Sequence, residues 1–259
     1  MISTEENVRH RAPNIARTLA VWLLPVLTAC GGSAADRGRG DSTRVSAGPA
    51  AAQMESITVV PAAPTVSIRP ADAPRVLFLG TSLTAGLGLA DPQAQSWPGV
   101  IQQIADSVGV PLVVTNAGLS GETSAGALRR VDWLLRESYD MIVIETGAND
   151  GLRGVNADST AANIAELIAK ARATLPTATM LLVQMEAPTN MGQDYTRKFH
   201  DLFPRVARES GAMLLPFILE GVGGIPRFNQ GDGIHPTAEG ARMAASNVWP
   251  GIRYALRQR

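Results

Sequence analysis

The chain predicts an α/β domain: a five-stranded parallel sheet covered by helices. Three features of the sequence lead there. After Pro74 short apolar runs alternate with longer amphipathic stretches, which is the pattern of strands joined by crossover helices. The apolar runs are nearly continuous rather than alternating, as strands buried on both faces must be. Each of the first three is followed by a polar, glycine-containing segment of the kind found at strand ends. In order, a strand at 75–79 (RVLFL) leads to a helix over 96–107, and a strand at 112–115 (LVVT) to a helix over 126–137. A strand at 141–145 (MIVIE) precedes a helix over 159–174, and one at 179–184 (TMLLVQ) precedes a helix over 195–210. The last strand, 212–215 (AMLL), is followed by a helix over 237–257.

Composition limits what else the chain can be. Its 259 residues carry 23 basic and 23 acidic side chains, so no basic face is available to neutralise phosphates and no nucleic-acid partner is expected. One cysteine supplies neither an internal disulfide nor a Cys-rich zinc site. Arg9, Arg11 and Arg17 precede an uncharged run at 18–29 (TLAVWLLPVLTA), the basic-then-apolar layout of an export signal. Twelve helical residues rise only about 18 Å, short of the roughly 30 Å hydrocarbon core, which disfavours a retained span. The run closes on Leu27-Thr28-Ala29-Cys30, which resembles the bacterial lipoprotein box, with Cys30 as the lipid-modified mature terminus. An ordinary cut near Ser33-Ala34-Ala35 is the alternative. Residues 31–73 have no aromatic side chain and are rich in Ala, Gly, Ser, Thr and Pro, so they read as a flexible tether. The expected organisation is a signal peptide at 1–29, an anchor cysteine and linker at 30–73, and the folded domain at 74–259. The mature protein is expected to be exported, as a periplasmic or outer-membrane-attached bacterial lipoprotein.

An open parallel sheet presents its ligand site beyond the C-terminal ends of its strands. Three segments fall there: Gly80-Thr81-Ser82-Leu83-Thr84-Ala85-Gly86, Asn116-Ala117-Gly118-Leu119-Ser120-Gly121 and Thr146-Gly147-Ala148-Asn149-Asp150-Gly151. Near the far end of the chain stands Asp232-Gly233-Ile234-His235-Pro236. A serine needs an adjacent base to become a nucleophile. Loss of the leader leaves only His200, inside a predicted helix, and His235, in a polar segment with Asp232 three residues before it. That spacing lets the carboxylate orient the imidazole, giving a nucleophile, acid and base in the order Ser82, Asp232, His235. Donors for a developing oxyanion are the Ser82 and Gly118 backbone N–H groups and the Asn149 amide. Taken singly, Gly118 and Asn149 read equally as turn residues and Ser82 as a helix N-cap.

Together these four segments resemble the conserved blocks of the SGNH, or GDSL, hydrolases. The likeness is closest to the bacterial arylesterase, acyl-thioesterase and lysophospholipase branch, and it spans residues 75–257. It extends through Asn116-Ala117-Gly118-Leu119-Ser120-Gly121-Glu122-Thr123 and Leu214-Leu215-Pro216-Phe217. The resemblance implies a three-layer flavodoxin-like fold with strand order 2-1-3-4-5. It also implies Ser82 as nucleophile, Asp232 and His235 as its partners, and Gly118 and Asn149 completing the oxyanion hole with the Ser82 N–H. One departure stands out: Thr81 occupies the place where that family has Asp. Since the triad acid is Asp232, the change should not abolish catalysis; Thr81 still offers a hydroxyl for a local hydrogen bond, and Thr81→Asp should be tolerated.

Rival chemistries fit less well. Thr84, two residues after Ser82, breaks the Gly-x-Ser-x-Gly elbow of α/β-hydrolases, and Gly86-Leu87-Gly88-Leu89 lacks the lysine of a phosphate loop. Asp232 and His235 lack the further histidines that zinc recruits, so neither metal nor cofactor is expected. The expected activity is hydrolysis of carboxylic esters or thioesters of short to medium acyl chains, on small-molecule or lipid substrates, with the membrane reached through Cys30. The alternatives are a carbohydrate O-acetylesterase on the same fold and a catalytically silent lipoprotein that binds lipid or glycan. For the acyl chain, Leu83 is expected on one rim, with Leu87, and Ala187, Pro188 and Met191 on the other, in the loop after the fourth strand.

Overall fold

The computed structural model describes residues 71–259. The expected leader, Cys30 and nearly all of the linker lie outside the described residues. β1 (Arg75–Gly80) leads into a one-turn helix α1 (Ser82–Ala85), a second short helix α2 (Pro92–Gln95) and then α3 (Trp97–Ser107). β2 (Val113–Gly118) is followed by α4 (Ser124–Leu134), and β3 (Met141–Ile144) by α5 (Ala148–Arg153) and α6 (Ala157–Thr174). β4 (Thr179–Val183) is followed by a 3₁₀ turn (Thr189–Met191) and α7 (Gln193–Ser210), and β5 (Met213–Leu215) by α8 (Ala238–Arg257).

The five strands pair in parallel in the order β2-β1-β3-β4-β5, with Leu77 opposite Thr115 on one side and Ile142 on the other. Helices α3 and α8 pack together, while α4, α6 and α7 form a second, separate group, which gives three layers. β1, β3 and β4 are the apolar centre: Val76, Leu77, Phe78, Val143, Ile144, Leu181, Leu182 and Val183 are all fully or almost fully buried. Phe78 meets the Trp97 ring edge-on at 5.0 Å between centroids, which fixes the start of α3 under the end of β1.

The structure departs from the sequence expectation in three places. β2 runs three residues beyond Thr115, through Asn116 and Ala117 to Gly118, which pairs with Gly80. As an edge strand it is only partly buried and needs no apolar run to continue. Helices α1, α2 and α5 went unread because four to six residues are too few to show a 3.6-residue period. α4 stops at Leu134, with Leu135 as its C-cap, short of the expected end at 137.

The chain leaves β1 toward β2 on one side of it and later enters β3 on the other. This reversal opens a crevice beyond the ends of β1 and β3, and the segments beginning at Thr81 and Glu145 meet there.

Candidate active site

Ser82 is the first residue of α1, one residue beyond the end of β1 with Thr81 between them, and is buried. The turn closes at Gly86, whose left-handed φ of 73° suits a residue without Cβ. The Ser82 Oγ lies 2.8 Å from His235 Nε2, and His235 Nδ1 lies 2.6 Å from Asp232 Oδ2. Asp232 Oδ1 accepts the backbone N–H groups of Ile234 (2.9 Å) and His235 (3.0 Å). With Nδ1–H given to the carboxylate, the Nε2 lone pair faces the serine hydroxyl. The His235 side chain, with help from those two N–H groups, holds the Asp232 carboxyl down at about 2. The three residues that the sequence brings forward as nucleophile, acid and base thus form one hydrogen-bonded row.

Gln230 staples this row to the rest of the site. Its backbone N–H donates to the His235 carbonyl at 2.7 Å, and its side-chain amide donates to the carbonyls of Leu87 (2.7 Å) and Pro236 (2.9 Å). It ties the Asp232–His235 loop to the chain just after α1. No sequence motif signals it, because its partners are backbone atoms 143 and six residues away.

Beneath Ser82 sits Glu145, fully buried at the end of β3. Its carboxyl accepts the Thr81 N–H (2.9 Å), the Thr81 hydroxyl (3.0 and 3.1 Å) and the Thr84 hydroxyl (2.8 Å). Trp97 Nε1 in turn donates to Thr84 Oγ1 at 3.1 Å. Burial pushes the Glu145 carboxyl up to about 7, against the pull of those hydrogen bonds. Thr81 therefore supplies the local hydroxyl contact expected of it, to an acid the sequence reading had placed in a strand. A carboxyl introduced by Thr81→Asp would meet Glu145 at close range, and the site would accept it only with a proton shared between the two.

Two further polar networks hold the neighbouring loops. Arg130 binds Glu122 through two hydrogen bonds of 2.6 and 2.7 Å and also donates to the carbonyls of Ala117 and Gly80. Buried Asp150 accepts the Ser124 N–H (2.8 Å) and hydroxyl (2.6 Å) and so fixes the start of α5 against α4. Asn149, beside it, donates one amide hydrogen to the Glu122 carbonyl at 3.0 Å and keeps a second to offer.

The donor set differs from expectation at one position. The Gly118 N–H is spent on Asn116 Oδ1 at 2.9 Å. Gly118 lies outside the cleft wall, pressed on α1 so closely that a Cβ would stand 2.1 Å from the Ala85 nitrogen. Its lack of a side chain serves packing. Gly121, three residues on, lines the cleft with Ser82 and Asn149 and has a φ of 77° that favours glycine. Both glycines stand in the same sequence block, and spacing alone did not separate them.

The cleft has a volume of about 290 Å³ and opens beside Ser82 and His235. Leu83, Leu87 and Pro188 line it as expected, joined by Leu152, Phe217, Leu219 and Ile234. Ala187 and Met191 do not. Ala187 is buried against Gly151, and the Met191 Cε lies within 2.9 Å of where a Cβ on Gly154 would be. The loop after β4 turns these two side chains toward α5. His200, exposed on α7, lies near the strand ends: its Nδ1 is 2.7 Å from Glu186 Oε1, just past β4.

Comparison with known proteins follows the same lines. Residues 78–243 match the model of the GDSL-like lipase/acylhydrolase family. The esterase TesA of Pseudomonas aeruginosa is 39% identical over 187 residues, covering 72% of this chain and 91% of that protein. Thioesterase 1/protease 1/lysophospholipase L1 of Escherichia coli is 34% identical over 175 residues, covering 67% of this chain and 81% of that protein. Among solved structures, the psychrotrophic esterase EstA from Pseudoalteromonas, inhibited by monoethylphosphonate, superposes with a TM-score of 0.66 at 32% identity. That match covers 71% of this chain and 98% of EstA.

The raised Glu145 carboxyl has a definite consequence for stability. Between its ordinary 4.5 and about 7 the unfolded chain has released a proton that the folded chain still holds, so stability falls as pH rises through that window. The full cost above it is about 3 kcal/mol, at roughly 1.4 kcal/mol per pKa unit. Asp232 acts oppositely, its contribution being present above 3.8 and lost as pH falls toward 2. Urea unfolding measured from pH 4.5 to 8 should show the Glu145 decline in the wild type and lose it in Glu145→Gln. Parallel pH curves for the two proteins would contradict this assignment.

Proposed function

The chain belongs to the GDSL-like lipase/acylhydrolase family and is a serine esterase of the SGNH type, and on that premise we propose that Ser82, His235 and Asp232 carry its reaction on short to medium acyl esters and thioesters. The observation that carries this reading is the unbroken row Asp232–His235–Ser82, with contacts of 2.6 and 2.8 Å, opening onto an apolar cleft.

In the proposed reaction His235 Nε2 takes the Ser82 proton as Oγ attacks the acyl carbon. Asp232 stays ionised and steadies the imidazolium. The carbonyl oxygen becomes an oxyanion, met by the Ser82 N–H at the start of α1, the free Asn149 amide hydrogen and the Gly121 N–H, which takes the role first read for Gly118. His235 then gives its proton to the leaving alcohol or thiol, releasing it and leaving Ser82 acylated. Water, activated by the same imidazole, hydrolyses the acyl-enzyme and regenerates the serine. No step calls for a metal or cofactor.

The wall of the cleft supports an acyl chain rather than a sugar. Apart from Ser82, Asn149, Glu186 and His235, its side chains are apolar or absent, a surface that gains from each methylene buried. Successive two-carbon extensions should therefore raise kcat/KM severalfold until the cleft is filled. The relatives named for thioester and lysophospholipid hydrolysis point to the same substrate class. The leader and Leu27-Thr28-Ala29-Cys30 support an exported protein anchored by lipid at Cys30, with the domain from residue 74 carried on the 31–73 linker.

Ser82→Ala and His235→Ala should each lower hydrolysis of a p-nitrophenyl butyrate probe by about 10³-fold or more with the fold retained. Asn149→Ala should lower kcat by about 10²-fold with little change in KM, since its amide serves the transition state. Near-wild-type turnover in pure Ser82→Ala would contradict the mechanism, and a change confined to KM would make Asn149 a ground-state contact. For the anchor, full-length protein expressed in bacteria should fractionate with membranes, and Cys30→Ala should release it. A soluble wild type with an unmodified N-terminus beyond Cys30 would refute lipidation.

A further inference from the structure

We propose that Glu145 is a positioning residue for the reaction: its buried carboxylate grips both ends of the Ser82 turn and so holds the Ser82 N–H and Oγ in one productive geometry. This rests on the reading of Ser82 as nucleophile and adds a residue that never touches substrate. Thr81 is the N-cap of α1, in extended backbone, and its ψ sets the plane of the Thr81–Ser82 peptide that carries the Ser82 N–H. Glu145 accepts both the N–H and the hydroxyl of Thr81 on one side of the serine, and the Thr84 hydroxyl on the other. The turn has no slack around this grip. A Cβ on Gly80 would stand 2.0 Å from Thr84 Oγ1 and 2.8 Å from Glu145 Oε2.

The direction of these bonds suits the ionised acid. Trp97 Nε1 donates to Thr84 Oγ1, so the single Thr84 hydroxyl proton is free to point at Glu145, and the Thr81 hydroxyl proton is shared between the two carboxylate oxygens. Each of these donors is neutral and each points inward. A protonated Glu145 must find an acceptor among the same groups, and it does so only by turning a threonine hydroxyl around. The nearby Arg130 guanidinium reaches the Gly80 carbonyl but pairs with Glu122. The acid is thus fixed by the hydroxyls and backbone N–H groups of Thr81 and Thr84, and what it returns is order in the segment that bears the nucleophile. Thr81 is the element that permits this, because it presents a donor where a carboxyl would present a second acceptor.

The test uses the full-length protein and p-nitrophenyl butyrate. Glu145→Gln, which keeps one acceptor oxygen but turns an NH₂ donor toward the Thr81 hydroxyl in place of the other, should lower kcat about 10- to 100-fold and leave KM within about twofold, as expected when reacting groups are misplaced by an ångström or less. Thr81→Val should lower kcat by several-fold, and Thr81→Ser, which keeps the hydroxyl, should fall between Thr81→Val and wild type. In the Glu145→Gln background Thr81→Val should cost little more, since the two act through one contact. Wild-type kcat in Glu145→Gln, losses that appear in KM alone, or fully additive effects would each overturn the proposal. If Glu145→Gln does not fold, Thr81→Val and Thr84→Val carry the test by the same kcat criterion. An active Ser82→Ala would instead overturn the underlying assignment of the nucleophile, whereas an inactive Ser82→Ala beside a fully active Glu145→Gln would sink only the role given to Glu145.

Discussion

A carboxyl buried without a cation is costly unless its oxygens are fully occupied, and Glu145 meets that condition only by drawing on the two threonines that bracket Ser82. The requirement runs both ways. The acid needs those donors to remain buried, and the donors fix the turn that begins at the end of β1. Because β3 lies beside β1 in the sheet, the acid reaches that turn directly from its own strand end. The rest of the site is arranged around this contact: the Ser82 hydroxyl points to His235, His235 to Asp232, and Gln230 secures their loop to the chain after α1.

Two other carboxylates play similar parts at neighbouring strand ends. Glu122, paired with Arg130, ties the segment after β2 to the Ala117 and Gly80 carbonyls, and Asp150 ties α5 to α4 through Ser124. Between them they set the positions of Gly121 and Asn149, the proposed partners of the Ser82 N–H. Buried polar networks of this kind add little net stability compared with apolar packing, and their value lies in specifying one arrangement. For a reaction that depends on donors placed where charge will develop, that trade is favourable. The apolar core supplies the stability, and the acids at the strand ends supply the geometry.

Much of this was legible in the sequence because it rests on local pattern. The five strands show as continuous apolar runs, and the five longer helices as amphipathic stretches whose bounds agree within a few residues. Ser82 alone reads equally as a helix N-cap, and it stands out only in combination, because a serine just past a strand end and a D-x-x-H in a glycine-rich loop supply nucleophile, acid and base in order. What was missed depends on which way a loop turns. Gly118 and Gly121 look alike in sequence, and only the packing of α1 on the end of β2 shows that one is a close-approach site and the other a cleft residue. Ala187 and Met191 sit in the correct loop but face α5, while Leu152 reaches the cleft from a short helix too brief to show a period, and Phe217 and Ile234 reach it from a strand flank and the catalytic loop. Glu145 read as the polar end of a strand, since nothing local announces that a residue 64 positions earlier will need it.

The central claim is a covalent one, and it is tested most directly by trapping the intermediate. Full-length protein mixed with a slowly hydrolysed p-nitrophenyl ester and quenched in acid within the first turnovers should gain the mass of one acyl group. Peptide mapping should place that group on Ser82, with none in Ser82→Ala. Sustained turnover with no acyl group on Ser82, or the group on another residue, would contradict the account.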